Sequence, residues 1–386
     1  MPALIVAQKI KKFLQPTLPQ MIDTLRRFVI AESPSLEKAC ADRCCGLIAA
    51  EWRKHGLEVH RIPQKNRGDH LRIVSPSNSS RATTSQLLVL GHYDTVYASG
   101  TLTKMPFRLA AGKAYGPGTF DMKAGIVQAL FAHSALHKLN LSPNKRIVFL
   151  WTSDEEIGSD SSRKLIETEA LRSDAVFVLE PSFGPRGLIK TARKGVGEAE
   201  IIVHGRASHA GLAPEEGINA IHELCFQLSH ILKWNNPSRG TTVNADIIQG
   251  GTRTNVIADR ARAVLDLRAT SISEMRRVDH QFQSLKPHLR GVRLEVHGGF
   301  NRAPLERRMS IALFKRAKSL AAQMNLSLGE CVVGGGSDGN LTAALGIPTL
   351  DGLGAVGDGA HSTHEHILTA AMPIRAALLA VLLATS

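Results

Sequence analysis

The chain has 386 residues, 43% of them hydrophobic and 21% charged, which suits a folded protein larger than one hydrophobic core and excludes a disordered chain. Its formal net charge of +13 favours anionic partners, but aromatics are only 5% and no dense Lys/Arg tract is interleaved with them, which excludes a dedicated nucleic-acid binder. No apolar stretch reaches the roughly 20 residues of a membrane span, and five cysteines without framework spacing predict reduced thiols and a cytoplasmic protein.

In chain order, residues 18–55 read as two helices. Ser33-Pro34-Ser35 separates them and offers a cap for the second. "LEVHRI" and "HLRIV" are short β-rich runs, and "QLLVLGH" (Gln86–His92) is an apolar run of buried-strand type. From Asp121, "DMKAGIVQALFAHSALHKL" carries helical spacing. "RIVFLWT" and "DAVFVLE" are two more buried-type strands with a polar helical stretch between them. Apolar strands alternating with helices predict an α/β domain with a largely parallel central sheet. After Pro185 the texture changes. "GEAEIIVHG", "TTVNADIIQ" and "RARAVLDLRAT" alternate like half-exposed strands, and two amphipathic helices and a last strand, "VRLEVHGG", complete a β-α-β-β-α-β, ferredoxin-like α+β unit. The α/β texture returns near Arg302 with a long helix, the glycine loop "VVGGGSDGN", a strand "IPTLDGL", a histidine-rich loop and a closing helix. The expected organisation is a discontinuous domain, 1–188 and 299–386, interrupted by an inserted domain, 189–298.

The acidic and imidazole side chains fall in a pattern. "QLLVLGH" ends in His92 and Asp94. "GPGTFDMKAG" places Asp121 at a helix start. "RIVFLW" runs into "TSDEEIGS", with Glu155 and Glu156, and "DAVFVLE" ends in Glu180. "GDGAHSTHEH" carries His361. Taken singly, Asp121 is a helix cap, Asp94 a turn residue, the glutamate pair a surface feature, and His361, His364 and His366 a solvated loop. Taken together, each follows an apolar strand or opens a helix, and the carboxyl ends of strands are where ligand sites collect in an α/β sheet.

So many carboxylates cannot sit together as bare anions: either some are protonated or divalent cations neutralise them. Two histidines and three carboxylates suit a pair of zinc-like ions better than calcium or magnesium, which prefer oxygen donors. With one carboxylate bridging, each ion receives three protein ligands and keeps room for water. Two neighbouring glutamates then divide the work: one binds metal and the other takes a proton from water. Neighbours in an extended segment point to opposite sides, so a turn after Trp151 is required to aim both inward.

On "GHYDTV", "GPGTFDMKAG", "SDEEIGS", "EPS" and "GAHSTHE", in this order over nearly the whole chain, the sequence resembles the co-catalytic zinc metallopeptidases that include glutamate carboxypeptidase, aminoacylase, acetylornithine deacetylase and succinyl-diaminopimelate desuccinylase. "ASHAGLAPEEGINA" and "GGGSDGN" look closest to the glutamate carboxypeptidase group. The resemblance implies two zinc ions, with cobalt or manganese able to replace them. His92 and Glu180 would bind one, Glu156 and His361 the other, and Asp121 would bridge. Asp94 would accept a hydrogen bond from the far nitrogen of His92, and Glu155 would be the general base. The inserted domain would be a lid and dimerisation domain whose His209 reaches the partner protomer's site and stabilises the oxyanion. Asn255 and Arg268 would hold the substrate carboxylate, although Arg268 can also pair with Asp266, two residues away on the same strand face. Met122 stands where relatives often carry an acid, and the part played by Glu365 is left open. The implied activity is release of a C-terminal amino acid, glutamate first, from an acidic peptide by a homodimeric enzyme. An N-acyl amino acid deacylase is the alternative, and a metal-binding homologue without catalysis the third reading, disfavoured by the intact Glu155.

Overall fold

The computed structural model describes residues 3–77, 85–141 and 143–386. The chain divides into two compact units: Met1–Thr191 with Arg307–Val332 and Ser337–Ser386, and Ala192–Glu306 with Val333–Gly336.

The first unit is built on a six-stranded sheet. Its strands are β1 (Glu58–Ile62), β2 (His70–Ser75), β3 (Gln86–His92), β4 (Arg146–Thr152), β5 (Ser173–Val178) and the short Thr349–Leu350. Their order across the sheet is β1-β2-β4-β3-β5, then Thr349–Leu350. β3 runs parallel to both neighbours, and Thr349–Leu350 is parallel to β5. β1 and β2 add an antiparallel edge. The parallel strands are buried on both faces, so they read as unbroken apolar runs. Helices Leu18–Ile30, Lys38–Lys54, Ala124–Lys138 and the C-terminal Ala371–Thr385 bury their apolar residues in one continuous core with the sheet. That explains "ALLAVLLATS": it is a core helix, buried nearly all round.

Two local expectations were not met. Helix Lys38–Lys54 takes Glu37 as its N-cap without a side-chain hydrogen bond. Ser35 does not cap it; the hydroxyl donates instead to Asp94 Oδ2 at 2.7 Å. The helix expected from Asp121 begins at Ala124, because Asp121 (φ −114°, ψ 96°) and Met122 (φ −133°, ψ 32°) are not helical.

The second unit holds an antiparallel sheet of β6 (Gly195–His204), β7 (Thr242–Gly250), β8 (Arg260–Ala269) and β9 (Arg293–Arg302), in the order β7-β8-β6-β9. Helix Ala220–Ile231 follows β6, and helix Ile272–Gln283 follows β8, giving the β-α-β-β-α-β order. Alternate residues of β8, among them Ala263, Leu265 and Leu267, are buried with Leu224, Ile231, Val278 and Phe282 of the helices. Side chains start both helices: Asn219 accepts from Ile221 N and His222 N, and Ser271 accepts from Glu274 N. β7 departs from the expected alternation. Only Val243 is buried in it, and from Asn244 to Gly250 it is exposed on both faces of a sheet edge.

Candidate metal centre

The carboxyl ends of β3, β4 and β5 lie side by side, with His92 in register with Thr152. His92 is the last residue of its strand and is 1% exposed. Its Nε2 lies 3.3 Å from Asp121 Oδ1 and 3.3 Å from Glu180 Oε1. Across Asp121, His361 Nε2 lies 3.5 Å from Asp121 Oδ2 and 3.1 Å from Glu156 Oε2. Asp121 thus offers one oxygen to each histidine. The sequence-predicted residues fall into two donor groups, His92–Asp121–Glu180 and Asp121–Glu156–His361, and Glu155 belongs to neither.

Each segment reaches the cluster for a local reason. The strand carrying the acidic pair ends at Thr152, and Glu155–Ile157 form a single tight turn closed by Gly158 at φ +104°. The turn is pinned from outside. The fully buried Asp94 accepts from Glu155 N at 3.3 Å and Glu156 N at 3.2 Å, besides the Ser35 hydroxyl. Asp94 therefore does more than the sequence suggested. His92 Nδ1 is 3.1 Å from the Asp94 carbonyl oxygen and 3.4 Å from the carboxylate; either acceptor holds the proton on Nδ1 and leaves Nε2 as a donor of electrons.

Asp121 is presented by a loop that Glu365 organises. The Glu365 carboxylate accepts from Gly118 N at 3.0 Å, Phe120 N at 2.7 Å and Asp121 N at 3.0 Å. Gly118 sits at φ +71°, and a Cβ there would lie 2.5 Å from Thr95 Cγ2, so only glycine serves. The Asp121–Met122 peptide is cis, and Met122 is buried with its sulfur 3.3 Å from His92 N. Just beyond, the buried ammonium of Lys123 donates to Phe28 O at 3.0 Å and Ala31 O at 3.1 Å, at the carboxyl end of helix Leu18–Ile30. Sequence reasoning missed Ser35 and Lys123 and left Glu365 open. Only Glu365 carried a signal, as the acid in "GAHSTHE".

The electrostatics follow from crowding. Burial disfavours a charged His92, but Asp121, Asp94 and Glu180 override it and raise its pKa well above the usual imidazole range. Burial also opposes ionisation of Asp121, yet His361 and His92 hold its carboxyl well below the usual range. Hydrogen bonds to Asp121 and Glu156 push His361 up to about 10, and burial raises Glu156. Three carboxylates here depend on concentrated positive charge. The donor set, two imidazoles with carboxylates and one shared aspartate, fits a pair of divalent ions. Asp121 Oδ1, buried without a hydrogen-bond donor, fits the same reading. A cleft of about 890 Å3 opens beside Asp121, lined among others by Lys113, Phe183, Lys190 and His364.

The remaining sequence-predicted residues lie in the second unit. His209 is exposed, and its Nδ1 accepts from Gly211 N and Leu212 N, both at 3.1 Å. A neutral ring held this way carries its proton on Nε2. Asn255 is exposed beside it, its carbonyl accepting from Ala210 N at 2.9 Å. Arg268 engages Asp266 through Nε at 2.9 Å and Nη2 at 2.8 Å, while Nη1 points at Gly334 O, 3.5 Å away.

Comparison with known proteins finds relatives along nearly the whole chain. Over 371 residues the chain is 29% identical to carboxypeptidase G2 of Pseudomonas sp. (strain RS-16), spanning 92% of this chain and 87% of that one. Its fold is similar to that of aminopeptidase PepT from Bacillus cereus ATCC 10987, with a TM-score of 0.79 at 22% identity over 95% of this chain and 98% of the other. It is also similar to the Bacillus subtilis protein YXEP, described as a dinuclear metal binding peptidase from the M20 family, with a TM-score of 0.69 at 16% identity over 96% and 98%. Residues 88–385 match the family described as peptidase family M20/M25/M40, and the chain belongs to that family of hydrolases, whose metallopeptidases bind metal.

Proposed function

We propose that the chain is a dizinc exopeptidase or amidase that releases a C-terminal amino acid, with glutamate the expected product. The observation that carries the proposal is the sharing of Asp121: its two carboxylate oxygens face the imidazoles of two separate donor groups. In this reading His92 and Glu180 would hold one ion, Glu156 and His361 the other, and Asp121 would serve both. Ions bound there supply Lewis acidity, making water acidic enough to attack and polarising the scissile carbonyl. The chain's own residues do the rest. Glu155, outside both donor groups, accepts the proton of the attacking water and returns it to the leaving amine nitrogen. Asp94 keeps His92 in the correct tautomer and holds the Glu155–Glu156 turn in place. His209 of a second copy donates its Nε2 proton to the developing oxyanion, and Asn255 and Arg268 bind the substrate carboxylate. Arg268 would then share its guanidinium between Asp266 and substrate.

Support for C-terminal release comes from the carboxypeptidase relative, and support for an acidic substrate from Lys113 and Lys190 lining the cleft. The exposed edge strand β7, with Ile247 and Ile248 47% and 58% exposed, supports docking of a second copy. All five cysteines are free, in keeping with a cytoplasmic protein, and no helix among the described residues is long and apolar enough to cross a membrane. The deciding experiment is a panel of peptides and N-acyl amino acids presented to zinc-loaded protein. Faster release of C-terminal glutamate than of other residues is expected. A preference for N-acetyl amino acids without regard to glutamate would instead make the enzyme a deacylase.

A further inference from the structure

One buried histidine outside the metal centre touches both ends of the turn that carries Glu155 and Glu156. His70, the first residue of β2, is fully buried. Its Nδ1 lies 3.2 Å from the hydroxyl of Ser153, and its Nε2 lies 3.2 Å from the hydroxyl of Ser161. Ser153 precedes the acidic turn and Ser161 follows it. The Ser153 hydroxyl donates to Gly68 O, so its oxygen is left to accept from the ring. Nε2 faces the Ser161 oxygen, whose own proton goes to Asp154 Oδ2 at 2.7 Å. Burial pushes the His70 imidazole below its usual range, against the opposing pull of Asp154 and Asp94.

Asp154 completes the frame. It is fully buried, and its Oδ2 also accepts from Ser161 N at 2.7 Å and Ser162 N at 3.2 Å. Its carbonyl accepts from Ser159 N at 2.8 Å. The turn is thus closed on itself by Asp154 and tied to the sheet edge by His70. β2 pairs with β4 immediately before the turn, Leu71 against Trp151, so the imidazole works from a rigid support.

We propose that His70 is a positioning residue: through Ser153 and Ser161 it clamps the turn that aims Glu155 at the reacting water and Glu156 at the metal. The inference rests on the roles given above to Glu155 and Glu156. It is tested in the full-length, zinc-loaded protein with N-benzoyl-L-glutamate as substrate and with amide hydrogen exchange read by mass spectrometry. His70→Phe fills the ring's volume and removes both ring-nitrogen contacts. kcat is expected to fall about 10- to 100-fold, the range for lost outer-sphere partners, with KM changed less than about twofold and metal stoichiometry retained. His70→Gln, which keeps a donor and an acceptor, is expected to recover part of the loss. Exchange in residues 154–162 is expected to rise about tenfold or more while the peptides of β3 and β5 stay protected, the signature of local opening.

A folded His70→Phe protein with unchanged kcat and unchanged exchange in the turn would overturn the clamp. So would equal acceleration throughout the sheet, since that marks general destabilisation. If His70→Phe does not fold, Ser161→Ala carries the test, removing only the hydroxyl between His70 and Asp154; wild-type kcat and turn exchange there would end the proposal. The exchange measurement needs no turnover, so it decides the clamp even if the wild type proves inert toward this amide. Glu155→Gln, run in parallel, separates the two ideas. If it keeps wild-type turnover, the general-base reading fails, whatever the exchange data say about His70.

Discussion

Glu155 and Glu156 are adjacent, yet only Glu156 joins a donor group. This makes their substitutions distinguishable. Glu155→Gln keeps the size of the side chain but removes the proton acceptor. It is expected to bind two metal ions per chain, measured by atomic emission, while kcat drops by roughly 100- to 10,000-fold. Glu365 acts at one remove. Burial pushes its carboxyl up to about 7, and the three backbone amides it gathers include that of Asp121 itself. Glu365→Ala leaves those amides without their acceptor, and a loss of about 10- to 100-fold in metal affinity is expected in competition with a fluorescent chelator. Much of this site was legible beforehand, because a strand's end fixes which edge of the sheet its last residues meet. Strand ends and a helix start single out His92, Asp94, Asp121, the Glu155–Glu156 pair, Glu180 and His361 as candidates, while the choice of Glu156 over Glu155 as metal ligand rests on the family resemblance. The supports could not be named. Ser35 looks like a helix cap because Ser-Pro-Ser is locally a cap signal, but its hydroxyl serves Asp94, 59 residues away. Glu365 bonds to amides 244 to 247 residues away, and backbone amides carry no mark in a sequence.

Elements differ in how firmly their ends are held. In the second unit, helix Ile272–Gln283 is anchored by Glu274, 3% exposed, which accepts from Arg239 Nη1 at 3.0 Å, Thr241 Oγ1 at 2.8 Å and Arg277 Nη2 at 2.8 Å. Arg277, helped by Thr241 and Arg239, lowers the carboxyl from 4.5 to about 2 against the opposing effect of burial. A depressed carboxyl stabilises the folded chain fully above its unfolded pKa, and that contribution fades as pH falls toward the folded value. Glu274→Gln is therefore expected to cost about 1–3 kcal/mol at pH 7, measured by urea unfolding. Its deficit against wild type should shrink between pH 4.5 and about 2. A deficit that grew on acidification would contradict the assignment. The strands show what periodicity can and cannot say. β8 alternates as its sequence does, because one face meets two helices. β7 carries a similar pattern but lies at the sheet edge, where Ile247 and Ile248 stay about half exposed. A pattern reports which side chains could be buried; the partner decides whether they are.

For the molecule as a whole, the testable question is whether one chain suffices. His209→Ala and Glu155→Gln remove different steps, and each is expected to be nearly inactive alone. If His209 serves the partner's centre, mixing the two proteins and allowing exchange should restore activity, to about a quarter of wild type for random pairing with one intact centre in each mixed dimer. No recovery in demonstrably mixed dimers would place His209 within its own chain's reaction. Chelation should abolish turnover, and added zinc or cobalt should restore it.

The two donor groups differ in their access to water. His92 and Glu180 are buried, with side chains 2% and 9% exposed, whereas the His361 side chain is 50% exposed and stands on a loop at φ +60°. Of these side chains, His361 is the one most open to a chelator from solution. Demetallation followed in time should therefore proceed in two phases: a fast departure from the side of Glu156 and His361, then a slow one from the side of His92 and Glu180. In the proposed dinuclear site, one carboxylate would join two ions of unequal residence time.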